Sequence, residues 1–321
     1  MPSCPILNYL YAKKYRRMNP ARILYYIRNY RELQFALAIR YPRLFSDKQF
    51  LKIVFRQLIG SELNLDQPKT FNEKLQWLKL YDHNPEYTRM VDKYEAKKYV
   101  ADIIGDEYII PTLAVYNNTS EIDLDALPDK FVLKCTHDSG SVAICKDKKI
   151  FKKDEAFAML EKGLSKNYFW QNREWPYKNV KPRIIAETYL EDIETLELRD
   201  YKFFCFDGEV KALFIAEDRQ EDEETKFDFF DADFRHLDIR NGHPNADVPP
   251  AKPYSFDRMK EMAERLSQGI PHLRVDFYEA NGKIYFGELT FSHWSGFTPF
   301  EPEEWDLRFG EWLKLPSKKR I

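Results

Sequence analysis

Two hydrophobic periods alternate along this chain. Between residues 21 and 39, apolar side chains recur at Ile23, Leu24, Ile27, Tyr30, Phe35, Leu37 and Ala38 among arginines. That spacing predicts an amphipathic helix rather than a strand. A second helix is predicted over Asp47–Ile59, with Asp47 as its N-cap and Gly60 as its stop. Thr70, with Glu73 three residues on, forms a capping-box signal for a helix over Phe71–Tyr81. Asp92 is predicted to cap a helix over 93–104 that ends at Gly105. Further helices are predicted over 154–166 and 257–268. Strand patterns occupy 108–116 (interrupted by Pro111), 131–136, 142–146, 183–190 and 227–230. Asp207-Gly208 between 200–206 and 209–216, and Asn281-Gly282 between 272–278 and Lys283–Thr290, are hairpin signals. Antiparallel hairpins mixed with helices define an α+β class with more than one sheet. The texture changes near residue 68, which separates a helical segment (1–67) from a larger α+β unit (68–321).

Charge sharpens that division. The whole chain has 50 basic and 52 acidic side chains, yet residues 1–60 hold twelve basic and two acidic ones, a local charge of +10 that leaves −12 for the rest. Eleven aromatic residues lie among those cations. Two readings stand: a solvated basic face on a packed helical appendage, or a docking surface over residues 13–56 for an anionic polymer or an anionic membrane face. Nucleic acid is disfavoured, since no helix-turn-helix or RNA-binding motif is present. Residues 217–224 hold six acids, a pattern expected of a solvated loop. At 321 residues, 44% hydrophobic and 16% aromatic, the chain can build a sizeable folded core. No apolar run approaches the roughly 18 residues of a spanning helix, and no secretion signal is visible. Cys4, Cys135, Cys145 and Cys205 form no C-x-x-C pair and are expected to be free thiols. A cytoplasmic protein, peripheral at the inner membrane face, is the expectation.

Several kinds of site are excluded. There is no G-x-x-x-x-G-K-[ST] loop, no G-x-G-x-x-G fingerprint, no G-x-S-x-G elbow and no H-E-x-x-H pair. Lysines and carboxylates on strands remain. Lys134 ends an apolar strand, where a lysine is costly to bury unless it meets an anion. The turn after it, Thr136-His137-Asp138-Ser139-Gly140-Ser141, offers hydroxyls and backbone N–H groups that can close over phosphate. Asp200 and Lys202 share one strand face, a pairing suited to a ribose hydroxyl and a phosphate. On the last hairpin, alternation puts Arg274, Asp276, Glu288 and Thr290 on one face. Facing carboxylates repel unless a cation lies between them. Mg²⁺ suits such hard oxygen ligands, and Arg274 is the alternative neutraliser.

Taken in order, Asp92-Lys93, 131–134 with its Ser/Gly turn, 184–190, Asp200-Tyr201-Lys202, Arg274-Val275-Asp276 and Glu288-Leu289-Thr290 resemble the ATP-grasp superfamily over about residues 90–300. The segments Phe71-Asn72-Glu73-Lys74-Leu75-Gln76-Trp77, 133–140 and 200–209 are similar to its TupA-like group, associated with teichuronopeptide and bacterial surface-polysaccharide synthesis. The resemblance implies an ATP-grasp fold with a basic helical N-terminal extension, a lid over roughly 106–186 and a C-terminal lobe over roughly 187–321. It implies that Lys93 and Lys134 hold ATP phosphates and that Ser139, Gly140 and Ser141 cover them. Glu187, Tyr189 and Leu190 would form the adenine hinge, with Asp200 on the ribose and Lys202 on a phosphate. Asp276, Glu288 and Thr290 would hold Mg²⁺, Thr290 standing where the family usually has Asn. Arg274 would steady the acyl phosphate. The implied activity is an ATP-dependent carboxylate–amine ligase that forms an amide on an anionic glycan or its precursor. The alternatives are a phosphotransferase acting on a sugar hydroxyl and a non-catalytic glycan- or membrane-binding protein. The stretch 291–297 is expected to border the acceptor site, with Ser295 and Gly296 offering N–H groups and His293 handling a proton.

Overall fold

Two antiparallel sheets carry the architecture of the computed structural model, which describes residues 29–193, 198–217 and 225–317. The start of the basic segment, including the helix predicted from residue 21, and the acidic run 218–224 lie outside the described residues, as does Cys4. The helices are α1 (Tyr30–Arg40), α2 (Asp47–Ile59), α3 (Phe71–Tyr81), α4 (Glu86–Val91), α5 (Glu95–Ile104), α6 (Lys153–Leu164), α7 (Phe169–Asn172), α8 (Phe256–Leu266) and α9 (Glu304–Trp312). A four-stranded sheet runs β1-β4-β2-β3, from Thr112–Tyr116, Ile184–Thr188, Phe131–Cys135 and Val142–Cys145. A six-stranded sheet runs β10-β9-β5-β6-β7-β8, from Lys283–Thr290, Leu273–Ala280, Arg199–Phe206, Glu209–Glu217, Lys226–Asp231 and His236–Leu237.

Local chemistry explains where the elements begin. Thr70 accepts from the Glu73 N–H in a full capping box. The cap of α2 is Ser46, not Asp47: Ser46 accepts from Gln49 N–H and Gln49 returns the bond, while Gly60 stops the helix at φ 90°. Both hairpin turns have the left-handed pair that type I′ geometry demands, with φ 50° and 83° at Asp207-Gly208 and 52° and 69° at Asn281-Gly282.

Each face of the large sheet has its own apolar layer. Tyr201, Phe203, Val275, Phe277 and Leu289 pack under α5 and α8. Phe204, Phe206 and Phe214 pack with Phe71 of α3 and Phe309 of α9. The small sheet packs against Leu160 of α6. The helices α1 and α2 join Trp77 and Phe297 in a fourth cluster, so the described part of the N-terminal segment is bound to the main body. Cys135, Cys145 and Cys205 are buried free thiols, and burial pushes Cys135 and Cys205 up to about 12. Among the described residues no helix is long and apolar enough to cross a membrane.

Candidate active site

The site begins with one break in strand regularity. Counting back from Asn281-Gly282 in an unbroken ladder would set Gly287 opposite Asp276 and turn Glu288 into the apolar core beside Ile284 and Phe286. Instead the register shifts between Phe286 and Glu288, so that Glu288 opposes Asp276 and Thr290 opposes Arg274. Gly287 is the extra residue of this bulge, and a Cβ there would sit 3.1 Å from the Asp276 carbonyl oxygen. The bulge puts both acids on the same face.

Arg274 lies between them. Its Nε and Nη2 donate to Asp276 Oδ1 and Oδ2 at 2.7 and 2.8 Å. Nη2 also reaches Glu288 Oε1 and Thr290 Oγ1, both at 3.0 Å. Lys202, paired across β5 and β9 with Asp276, sets its Nζ 2.5 Å from Asp276 Oδ2 and 2.5 Å from Asp200 Oδ2. Asp200 and Asp276 are fully buried, so these cations are what makes their burial tolerable. Burial pushes the Glu288 carboxyl up, but Arg274, helped by Lys202 and Lys93, outweighs it and holds the group down at about 2. His293 is not a proton carrier here. Arg274 Nη1 lies 2.8 Å from its Nδ1, and its Nε2 is 2.8 Å from Asn241 Oδ1. A guanidinium only donates, so Nδ1 accepts and the ring is the neutral Nε2–H tautomer. Burial, then Arg274, drives its pKa well below the usual histidine range.

This face forms one wall of a cavity of about 800 Å³. Lys202, Arg274, Glu288 and Thr290 line it, as do Lys93, Ser139, Gly140 and Ser141. The Asp92 carboxylate accepts from the Tyr94 and Glu95 N–H groups and fixes the turn that carries Lys93. Lys93 Nζ donates to the Asp138 carbonyl, and Ser141 Oγ donates to Asp138 Oδ2 at 2.5 Å. These bonds hold the Ser/Gly turn over the cavity.

The remaining predicted residues lie apart from that lining. Lys134 and Glu187 pair with each other at 2.5 Å, and Lys97, which sequence reasoning missed, takes the other Glu187 oxygen at 2.5 Å. The anion that strand burial of Lys134 demands is therefore Glu187. Burial raises the Glu187 carboxyl, yet the two lysines bring its pKa below the ordinary value. Tyr189 and Leu190 follow β4 directly, half-buried, with Lys130 and Lys146 over the Tyr189 ring at 5.6 and 6.0 Å. Also missed were Tyr168, Asn172, Glu174 and Tyr177, which line the cavity from a stretch without periodicity.

The donor set bears on a metal. Both Asp276 oxygens are taken by cations, whereas Glu288 has only Oε1 engaged by Arg274 and Thr290. Glu288 with the Thr290 hydroxyl thus fits a hard cation that also takes ligand oxygens. Among the described residues, no group of three or more His, Cys, Asp or Glu side chains is arranged to hold an ion alone.

Clustered cations, a hydroxyl-rich turn and two sheets flanking a cleft define an ATP-grasp protein. Residues 73–314 match the family pattern described as TupA-like ATPgrasp, and the chain belongs to that family. No curated protein matches it. Among solved structures, D-alanine–D-alanine ligase from Bacillus anthracis complexed with ATP is similar at 16% identity, over 63% of this chain and 55% of that one, with a TM-score of 0.37. The ATP-grasp ligase PsnB with its minimal precursor gives 12%, 69%, 61% and 0.39 for the same quantities. The D-alanine–D-alanine ligase of Helicobacter pylori gives 14%, 78%, 68% and 0.43. The chain thus spans less than two thirds of the length of the first two.

Proposed function

We propose that this protein is an ATP- and Mg²⁺-dependent carboxylate–amine ligase. The observation that carries the reading is the single cavity lined by Lys202, Arg274, Glu288 and Thr290 together with Lys93 and the Ser139–Ser141 turn. ATP phosphates fit within this lining. Lys93 and Lys202 neutralise them, and the hydroxyls and N–H groups of the turn cover them. Glu288 and Thr290 hold Mg²⁺, which screens phosphate charge. A substrate carboxylate oxygen attacks the γ-phosphorus and ADP leaves. A neutral amine then attacks the acyl carbon of the acyl phosphate, the C–N bond forms, and phosphate departs with the C–O electron pair and takes up the proton lost from nitrogen. Arg274, fixed by Asp276 and His293, is pre-aimed at the oxygen charge that develops. Removing one such contact is expected to raise the barrier by about 2.7–4 kcal/mol.

Glu187, Tyr189, Leu190 and Asp200 are assigned to the nucleoside end, and Lys134 to an ATP phosphate. There the Lys134–Glu187 pair must open, or orient the hinge from beneath. The four-stranded sheet serves as the lid. The carboxylate or amine belongs to an anionic bacterial surface glycan or its precursor, which the +10 segment attracts at the inner membrane face.

The test is ATP-dependent hydroxamate formation from hydroxylamine, screened over uronic acids and amino acids, with ADP and phosphate measured together. One carboxylate should give equal ADP, phosphate and hydroxamate, and Glu288→Gln should reduce all three at least a hundredfold. ADP without free phosphate contradicts the ligase and indicates transfer to the acceptor.

A further inference from the structure

The part of the cavity lined from the stretches 167–177 and 292–295 carries a second polar cluster that the nucleotide reading leaves unused. Glu174 lines the cavity and is only 5% exposed. Its Oε1 accepts one hydrogen bond, from Ser295 Oγ at 2.5 Å. The nearest buried cation, Lys79, does not serve it directly. Lys79 Nζ donates to Gln76 Oε1 at 3.0 Å, the Asn172 carbonyl at 3.0 Å and the Ser295 carbonyl at 2.6 Å, which uses all three of its N–H groups.

Asn172, 6% exposed and also on the cavity, gives its Nδ2–H to the same Ser295 hydroxyl at 2.9 Å. Its Oδ1 is buried with no hydrogen-bond partner. The Ser295 hydroxyl thus bridges the two side chains, accepting from the Asn172 amide, whose oxygen has no partner, and donating to the Glu174 carboxylate, which has this single bond. Leaving such groups unpaired costs about 1–3 kcal/mol each, and more for a charged one. The backbone is held in a rare shape to achieve this. Trp294, Ser295 and Gly296 have φ of 47°, 56° and 64°. Two non-glycine residues in that region are a strain that persists where surrounding structure enforces it. Burial raises the Glu174 carboxyl above its ordinary pKa against the opposing pull of the Lys79 charge.

We infer that Glu174 and Asn172, bridged by Ser295, form the subsite that receives the ammonium group of the amine substrate. A primary ammonium has three N–H donors and a positive charge, which answers both the idle amide oxygen and the under-served carboxylate. The inference rests on the ligase reading for the identity of that ligand as substrate. Tyr168 and Tyr177, with ring centroids 4.8 Å apart, line the same part of the cavity and narrow the approach.

The test is ligand-observed NMR on the full chain with D-alanine, L-glutamate and glucosamine, each against its N-acetylated counterpart. At least one ammonium compound should bind while its acetylated partner does not. Glu174→Gln should weaken that binding at least tenfold, and Glu174→Asp, which keeps the charge, should weaken it less. On the wild type alone, binding should vanish above the probe's own ammonium pKa, a readout that needs no variant. Absence of binding by every ammonium probe, equal binding by Glu174→Gln, or binding that persists after deprotonation overturns the subsite. The hydroxamate assay reads the other claim: ammonium binding without any ATP-dependent hydroxamate leaves the subsite standing and removes the ligase.

Discussion

Arg274 joins more of the site than any other side chain. It holds Asp276 by two bonds, reaches Glu288 and Thr290, and orients the neutral His293. Strand alternation pairs Arg274 with Asp276 and Glu288 with Thr290, but only the bulge at Gly287 brings the two pairs to one face, where the acids require a cation among them. Alternation left open whether that cation is a metal or Arg274, and the geometry shows the guanidinium between the two carboxylates. Lys134 was legible in the same way, as a strand lysine in need of an anion. Its partner Glu187 was not legible, because residues distant in sequence reveal no pairing. Arg274→Met would strand buried carboxylates without their counter-charge. It should cost about 3–5 kcal/mol, read as a lower urea midpoint with an unchanged slope. An unchanged midpoint would mean that this network does not stabilise the fold.

At the scale of elements, what could be read locally was read well. Both hairpin turns, the α3 capping box and the β10 limits followed from adjacent residues. Ser46 was passed over for Asp47 although Gln49 three residues on completes its box. The bulge at Gly287 had one signal, an isolated glycine inside a strand pattern. The stretch 167–179 had none, because α7 and the 3₁₀ turn Trp175–Asn179 are too short to show a period. The helix α9 was also missed; its Gly310 packs so closely on the start of α3 that a Cβ would lie 2.1 Å from the Lys69 carbonyl oxygen. Gly163 of α6 makes a similar approach to the Ser/Gly turn, where a Cβ would stand 2.5 Å from Ser141 Oγ and 2.9 Å from Cys135 Sγ. Gly163→Ala should therefore displace that turn, cost about 1–3 kcal/mol of stability and weaken ATP binding several-fold in calorimetric titration. Wild-type affinity in this variant would show that the turn does not contact the nucleotide.

The whole molecule sets two sheets and a basic helical segment around one cavity. Ile39, Pro42 and Arg43 of that segment line it together with the Ser/Gly turn and the Arg274 face. The +10 charge was plain in the sequence, whereas this shared lining was not, since it depends on how α1 and α2 pack on Trp77 and Phe297. The central claim is that the cavity binds Mg²⁺-ATP through Lys93 and Glu288, both of which line it. Isothermal titration of ATP, with and without Mg²⁺, into the wild type, Lys93→Met and Glu288→Gln tests it most directly. Saturable binding by the wild type, weakened at least tenfold by Lys93→Met and stripped of its Mg²⁺ dependence by Glu288→Gln, is the predicted result. No heat from the wild type, or identical isotherms for all three proteins, would contradict it.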